Sequence, residues 1–474
     1  MMSTRASPPF QGGIGATAGV EPVLGQSLFL CRNPILDRSR GIAAYQLDFL
    51  VAREKDGSLC WDRPEAVLLP VILDSTEPLA LTAGRRAFVT TPAEVLPELV
   101  IKPAWRGKIV FELLAQGCDG EKVIDVLKAR TKGGLDLCLY PSMLGAEVRP
   151  FLSPPCFVKI DVSGLWDADR ESMLSSLRAF PVTFIATGVE TPEDFEVSFQ
   201  AGFDLFQGGF YRKDAGAAKK SISPSQTLLL ELSARTARDD DIQLVEAIFK
   251  KNPDLTFGLF NLMRAALFHL PNNIVSIRQA IALLGYKDLH RWVALMLFTI
   301  DRSDPSVNAL FENVLVRART MELAAAGLQA QGLAEPAYMS GIFSLVHALF
   351  DAPMEEIVER GNFGEEIKAA LLMRAGRLGA LLSMVEALER SEYEACGREA
   401  EKLGIPMDRL LAAQTRAILE CQGTQDATRK EDRDRLWQGR PFEDEAASVP
   451  SGRNEFAGQR RSWARRLLAF FHTV

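Results

Sequence analysis

The sequence predicts a parallel α/β barrel in the first half of the chain and an all-α domain in the second half. Short apolar runs alternate with amphipathic segments between residues 26 and 213, as expected for parallel strands joined by crossover helices. From Pro224 onward the apolar residues recur at helical spacing, and no convincing strand is suggested before Cys421. This change of period predicts two domains of different class.

The stretch 182–212 contains the clearest unit of the predicted barrel, a β–α–β. Val182–Ala186 is an apolar run of strand length, and Thr191 followed by Pro192 predicts the start of a helix. Phe203–Phe206 is predicted as the next buried strand, and it leads into the polar Gln207. Because strand exits line the active face of a parallel barrel, we expect polar side chains at these exits to form the functional site.

The remaining elements follow from the same patterns. Asn33-Pro34 predicts a turn after the first strand, and Glu121–Arg130 fits a crossover helix. In the second half, Ser223 is predicted to cap a helix, and Gly285 is predicted to end the helix Ile274–Leu284. Further strands are predicted at Leu28–Leu30, Ile42–Val51, Phe88–Thr90, Ile109–Phe111, Leu135–Leu139 and Phe157–Asp161.

Length and composition are those of a soluble globular protein with more than one domain. The chain has 474 residues, 47% hydrophobic and 24% charged, and its net charge of −7 argues against a nucleic-acid binder. Seven cysteines without C-x-x-C spacing or a signal peptide predict reduced thiols in a cytoplasmic protein. The longest apolar run, Trp292–Ile300, is too short to span a bilayer.

Shifts in composition give the predicted boundaries. We expect a disordered lead at 1–25, the barrel at 26–213, a small polar linker at 214–223, the helical domain at 224–421 and a tail at 422–474.

The last stretch of the tail, 459–474, is predicted to form a short basic amphipathic helix. Trp463, Leu467 and Phe470 share one helical face, with arginines beside it. Such a helix suits peripheral contact with an anionic membrane or a groove on a partner, and packing against the helical domain is the equal alternative.

Both halves resemble known families. The sequence A-T-G-V-E-T at 186–191 and Q-G-G-F at 207–210 resemble the A-E-G-V-E-T and Q-G-[YF] segments of EAL domains, the cyclic-di-GMP phosphodiesterase fold. The segment 272–285 resembles the S-I-x-x-A-I-x-x-L-G of HDOD domains, relatives of metal-dependent HD phosphohydrolases. The resemblance spans about residues 26–421, and an EAL-like barrel followed by an HDOD domain is a known bacterial arrangement.

The EAL resemblance implies a site in which two Mg²⁺ or Mn²⁺ ions, held mostly by carboxylates, activate a water molecule. At a position where the family has a metal-binding carboxylate, a glutamine would bind Mg²⁺ poorly and a leucine could not bind it. If the alignment with the family were shifted by two residues, Asp136 would stand at the position of the family's paired aspartates, but one carboxylate would not replace two. The family's residues are kept at Glu112, Lys159, Glu190 and Gln207, and are replaced at Gln46, Thr90, Cys138, Leu139 and Thr187.

These replacements predict a site without catalytic residues, metal or cofactor, in which Mg²⁺ or Mn²⁺ would bind only if residual phosphodiesterase activity exists. The survivors Glu112, Lys159 and Glu190 are predicted to form a salt-bridge network at the barrel mouth. In the helical half, Ser344-Leu345 stands where an HD hydrolase has its His-Asp pair. Loss of that pair is common in HDOD domains.

The sequence therefore predicts a non-catalytic signalling or scaffold protein of the cyclic-di-GMP family, acting through protein partners, with weak cyclic-di-GMP binding possible. The alternative is a weak or residual cyclic-di-GMP phosphodiesterase, or a cyclic-di-GMP sensor. A third reading, nucleic-acid binding, rests on Lys287, His290, Arg291 and Trp292 alone, and the acidic net charge counts against it.

Overall fold

The computed structural model describes residues 28–55, 58–62, 80–82, 84–93, 96, 102–114, 123–128, 136–145, 147–148, 150, 156–164, 172, 174–175, 177–178, 180, 182–212, 222–252, 255–259, 276–299, 305–328, 332–361 and 363–422. The predicted lead at 1–25, most of the linker, residues 272–275 of the HDOD-like motif and the tail beyond residue 422 lie outside the described residues, and so does the predicted basic helix.

The first half forms a closed barrel, as the sequence predicts. In sheet order the strands run β1-β9-β8-β7-β6-β5-β4-β2-β3, and an additional pairing of β1 with β2 closes a ring from which the β2–β3 hairpin extends. β1 is antiparallel to both neighbours, whereas β2 and β4 to β9 pair in parallel around the ring. The strands are β1 (Leu28–Asp37), β2 (Ile42–Lys55), β3 (Ser58–Asp62), β4 (Arg86–Thr91), β5 (Ile109–Leu113), β6 (Asp136–Leu139), β7 (Cys156–Asp161), β8 (Thr183–Thr187) and β9 (Leu205–Gln207).

Two local predictions differ from the structure. The expected turn at Asn33-Pro34 is part of β1, where Pro34 lies opposite Tyr45 and the register shifts between Ile35 and Leu36. Proline is tolerated in a strand beside such an irregularity. The strand expected at Phe203–Phe206 begins only at Leu205, because the Asp204 carboxylate turns back to accept a hydrogen bond from the Phe184 backbone N–H (2.9 Å).

The helix Pro192–Ala201 between β8 and β9 begins as the sequence predicts. The Thr191 hydroxyl accepts a hydrogen bond from the Asp194 backbone N–H, and the Asp194 carboxylate accepts one from the Thr191 backbone N–H, both at 3.1 Å. This capping box satisfies two donors that the first turn would leave unpaired. It fixes the direction in which the chain leaves β8.

The helical half, residues 222–422, is built from packed helices, as predicted. Ser223 caps its first helix through the Gln226 backbone N–H, and Gly285, with φ 80°, ends another helix. Ser276 is the N-cap of that second helix, so it starts at Ile277 rather than Ile274. Its helices are Pro224–Ala237, Ile242–Lys251, Ile277–Leu284, Tyr286–Met296, Pro305–Ala326, Ala334–Phe343, Val346–Phe350, Met354–Gly361, Glu365–Met373, Gly376–Glu389, Tyr393–Leu403 and Met407–Gln422.

The helical half covers the outside of the barrel at β1 and β2. These two strands form an antiparallel hairpin without a crossover helix, so their outer face needs another cover. Tyr45 and Leu47 are buried in the same apolar cluster as Ile418 of the last described helix. The Leu30 backbone N–H also donates to the Thr415 hydroxyl (3.1 Å). The two halves therefore share one packed interior.

A buried polar cluster reinforces this contact. The Tyr45 hydroxyl donates to the Glu312 carboxylate of helix Pro305–Ala326, and the Arg85 guanidinium lies 3.1 Å from the same carboxylate. Burial and the Glu312 charge both raise the pKa of Tyr45, so its phenol stays protonated as the donor.

Within the described part of the chain, no helix combines the length and apolarity needed to cross a membrane.

Candidate functional site

The inside of the barrel has an apolar layer below and a polar layer at the mouth. Strand alternation explains the layers, since residues two apart on a strand face the same side. The apolar layer includes Ile35, Ala44, Phe88, Val110, Phe157, Ile185 and Leu205. Each residue two positions nearer the mouth is polar and lines a cavity of about 350 Å³: Asn33, Gln46, Thr90, Glu112, Lys159, Thr187 and Gln207.

Lys159 is the centre of the polar layer. Its buried ammonium donates to the Gln46 side-chain oxygen (2.7 Å) and to the Glu112 carboxylate (2.8 Å). The Gln46 amide in turn donates to the Thr90 hydroxyl (3.2 Å). Lys159 and Glu112 are only 4% and 5% exposed at their side chains, so this is a buried ion pair with its hydrogen bonds largely satisfied.

Tyr140, which the motif comparison did not consider, is also part of this network. It lies directly after β6, and its hydroxyl donates to the second oxygen of the Glu112 carboxylate. Tyr140 lies two positions after Cys138 of the apolar layer and lines the same cavity, so the period-two pattern reaches it one residue beyond the end of β6. A search for polar groups that satisfy both oxygens of a buried carboxylate would also have found it.

Cys138 and Leu139 do not line the cavity. Cys138 lies beside Glu112 in the apolar interior, where burial and then the Glu112 charge raise the pKa of its thiol well above the usual value. Leu139 belongs to the cluster outside the barrel. Asp136 pairs in register with Val110, one level below Glu112, so the strand does not carry it to the mouth.

Glu190 is placed by the loop after β8, and Gln207 is the last residue of β9. The Gly209 backbone N–H donates to the Glu190 carboxylate (3.2 Å), and the Gln207 side-chain oxygen is buried without a hydrogen-bond partner among the described residues. Gly208, with φ +154°, lies so close to the Val189 carbonyl that an added Cβ would be 2.0 Å from it. Only glycine fits this crossing of the two loops.

Asp48 is a carboxylate of the mouth that the motif comparison missed. It is two residues after Gln46 on β2 and lines the same cavity, together with Glu112 and Glu190. The signal was present in the period-two pattern, which puts residues 46 and 48 on one face of the strand. The family motif has no charge at that position, so comparison with the motif alone passed over it.

The helical half contributes the other side of the cavity. Glu389, Arg390 and Ser391 line it from the turn after helix Gly376–Glu389. Glu389 pairs with Arg212, which follows β9 at the barrel mouth (2.8 Å). No local pattern could show this contact, because the two residues are 177 positions apart.

A pair of divalent cations does not fit this arrangement. Within the described ranges, no group of three or more His, Cys, Asp or Glu side chains is placed to hold a metal ion. Lys159 puts a positive charge 2.8 Å from the Glu112 oxygen, where it would repel a cation. The described side chains of the mouth therefore do not provide a site for two metal ions, and the sequence-based prediction about Mg²⁺ and Mn²⁺ stays a prediction.

In the helical half, the position that matches the His-Asp pair of HD hydrolases contacts a cationic side chain. The Ser344 hydroxyl accepts from the buried Arg317 guanidinium (2.7 Å) and donates to the Gly341 carbonyl (2.7 Å). A guanidinium at this distance occupies the surroundings that a metal would need.

The four residues on which the hypothesis of nucleic-acid binding rests do not form an accessible basic patch. Trp292 is fully buried, and Arg291 is buried between the Glu322 and Glu335 carboxylates. The Nε2 atom of His290 is buried, and burial lowers the pKa of its ring to about 4. Lys287 is exposed but pairs with Glu335 (3.0 Å).

Comparisons with known proteins cover both halves. A family model described as the HDOD domain matches residues 224–350. The chain contains an HDOD domain. A curated protein of Vibrio cholerae serotype O1, named cyclic di-GMP phosphodiesterase CdgJ, is 25% identical over 387 residues, which is 80% of this chain and 89% of that protein. The uncharacterized protein YuxH of Bacillus subtilis is 25% identical over 394 residues, 79% of this chain and 94% of that protein.

Among solved structures, the Bacillus subtilis YkuI protein, with an EAL domain and in complex with cyclic-di-GMP and calcium, is 16% identical. It covers 54% of this chain and 72% of its own, with a TM-score of 0.31. At this TM-score the fold assignment rests on the barrel itself and on the sequence relatives. The predicted combination of an EAL-type barrel and an HDOD domain is confirmed.

The prediction that the protein is not an enzyme is wrong. A relative that spans most of the chain is named a cyclic di-GMP phosphodiesterase, and this finding overturns it. The prediction considered only the motif positions and judged the carboxylates left there too few for catalysis. In the structure, four carboxylates line the cavity: Asp48, Glu112, Glu190 and Glu389.

Proposed function

We propose that the mouth of the barrel binds cyclic-di-GMP and that the protein acts in cyclic-di-GMP signalling as a phosphodiesterase of low activity. The observation that supports this most is the cavity of about 350 Å³ lined by polar residues from the strand exits. Its volume lies at the low end of the range for small-molecule sites. The name of the Vibrio cholerae relative supports the choice of nucleotide and reaction.

Three cationic side chains of the mouth are placed to contact a ligand with two phosphates. Lys159, Arg212 and Arg390 line the cavity and supply three cations. The Lys159 ammonium has three N–H donors, of which Gln46 and Glu112 accept two, so one donor remains for a phosphate oxygen. Charge-assisted hydrogen bonds of this kind are stronger than neutral ones.

Glu190 is the residue that we propose as the base for an attacking water. It lines the cavity, and the Gly209 backbone N–H holds one of its carboxylate oxygens at 3.2 Å. The Glu190 carboxylate accepts a proton as the water oxygen attacks phosphorus, and the bond from phosphorus to the ribose 3′-oxygen breaks. The leaving 3′-oxygen takes up a proton from solvent, which gives the linear dinucleotide. Glu112 is less suited, because Lys159 and Tyr140 each donate to one of its oxygens.

The test combines a binding titration with a turnover assay on the full chain. Calorimetry should show binding of cyclic-di-GMP, and chromatography should show slow formation of the linear dinucleotide. Glu190→Gln should lower the rate at least about tenfold while leaving binding measurable. The control Glu193→Gln changes an exposed glutamate three residues away and should alter neither quantity.

Absence of binding to the native chain would refute the proposed site. Binding without any turnover would refute hydrolysis and leave nucleotide sensing as the function. The expectations that the output passes through protein partners and that the protein is cytoplasmic stay predictions from the sequence.

A further inference from the structure

The turn that connects helices Gly376–Glu389 and Tyr393–Leu403 lies over the mouth of the barrel. Its residues Glu389, Arg390 and Ser391 line the same cavity as the strand exits. Ser391 has φ +59°, a left-handed conformation that is uncommon for a residue other than glycine. Such a conformation persists where the surrounding contacts hold the backbone. The turn is therefore a fixed part of the cavity wall, contributed by the helical half.

Glu389 lies between two arginines from different halves of the protein. Its carboxylate is 2.8 Å from Arg212 of the barrel and 2.6 Å from Arg317 of helix Pro305–Ala326. Burial alone would raise the pKa of Glu389, but Arg317 and then Arg212 hold it below the usual value. The carboxylate is thus ionised and shared between the two guanidinium groups.

The two arginines differ in what else holds them. Arg317 also lies 3.6 Å from Glu386 and donates to Ser344 at 2.7 Å, so it keeps partners of its own within the helical half. Arg212 lines the cavity, and Glu389 is its ion-pair partner in the described part of the chain. Of the two, Arg212 is the one that can exchange its carboxylate for an anion entering the mouth.

We propose that Arg212 binds a phosphate of the nucleotide and that Glu389 competes with this phosphate, so that the helical half sets the affinity of the barrel. This inference rests on the function proposed above. When a phosphate takes Arg212, Glu389 remains neutralised by Arg317, so the exchange leaves no buried carboxylate unpaired. By linkage, the bound nucleotide must then change the contact between the two halves by the same free energy.

The experiment is a calorimetric titration of the full chain with cyclic-di-GMP. Arg212→Ala should weaken binding roughly tenfold, and Glu389→Gln should strengthen it roughly fivefold to tenfold. In the double variant, Glu389→Gln should have no effect, because it acts only through Arg212. The control Glu386→Gln removes a carboxylate 3.6 Å from Arg317 and should leave the affinity unchanged.

The outcomes separate this inference from the proposed function. If the native chain binds and the Arg212 and Glu389 variants bind equally well, the inference is overturned and the proposed function stands. Tighter binding by Glu389→Gln in the Arg212→Ala background as well would also overturn it, since that effect would run through the fold. Absence of binding to the native chain would overturn the proposed function and, with it, this inference. If Glu389→Gln does not fold, Glu389→Asp gives the same test with a shortened carboxylate.

Discussion

The buried pair of Lys159 and Glu112 makes a quantitative prediction about stability. Lys159→Met keeps the length and apolar stem of the side chain but removes the charge that pairs with Glu112 at 2.8 Å. Glu112 then stays buried, with the Tyr140 hydroxyl still donating to one of its oxygens. Removal of one partner from a buried ion pair typically costs about 3–5 kcal/mol, because the other charge is left without compensation. We expect the free energy of unfolding to fall by about this amount.

A second substitution tests the physical reason. In Lys159→Met combined with Glu112→Gln the stranded charge is gone, and the glutamine can still accept a hydrogen bond from Tyr140. We expect the double variant to recover most of the loss, so that the coupling between the two sites is about 2–4 kcal/mol. The measurement is urea unfolding followed by circular dichroism, with Lys108→Met, at an exposed lysine that donates to the Gly84 carbonyl, as control.

Two results would refute this reasoning. The first is a single variant as stable as the native chain, since it would mean that water reaches Glu112 and the pair is not buried. The second is a double variant that is no more stable than Lys159→Met, since the loss would then come from packing rather than from the stranded charge.

Three further predictions concern pH, packing and the contact between the halves. Burial holds the pKa of His290 at about 4 instead of 6.5, so the unfolded chain takes up a proton at this ring before the folded chain does as the pH falls. About 3 kcal/mol of stability should therefore be lost between pH 6.5 and pH 4. Urea titrations at several pH values should show a smaller loss for His290→Asn. Gly341→Ala would put a Cβ 2.5 Å from the Ala318 backbone and should cost at least about 1–3 kcal/mol, whereas Gly397→Ala, with open space around it, should not destabilise. A fragment of residues 26–213 exposes Tyr45 and its apolar neighbours on the outer face of the barrel, so it should bind a hydrophobic dye and aggregate, unlike the full chain.

The parts of the site that lie on strands could be predicted from the sequence. Alternation along each strand determines which residues face the interior, so Gln46, Glu112 and Lys159 are predicted to face the interior without any knowledge of the partner strands. The cap at Thr191 was equally local, since a capping box involves residues only three apart. Predictions from such local patterns hold in the folded structure because the contacts they describe join residues that are close in the sequence.

The parts that the sequence did not predict depend on distant contacts. Glu389 joins the site from a helix 177 residues after Arg212, and no period or motif connects the two. Asp48 was within reach of the alternation rule but stood outside the family motif. The conclusion that the protein is not an enzyme was drawn from the motif positions alone, and the name of the Vibrio cholerae relative contradicts it.

The covering of β1 and β2 by the last described helix has a consequence for how the protein is made. The hydrogen bond from Leu30 to Thr415 joins residues 385 positions apart, almost the whole described length of the chain. On the ribosome, the first strand of the barrel is synthesised long before the helix that shields its outer face. The outer face of the nascent barrel therefore stays exposed until that helix has been synthesised. Contacts between residues so far apart in the sequence make folding slow and favour association with other chains. A chaperone that holds the β1–β2 hairpin during synthesis should raise the yield of native protein more than one that acts after release.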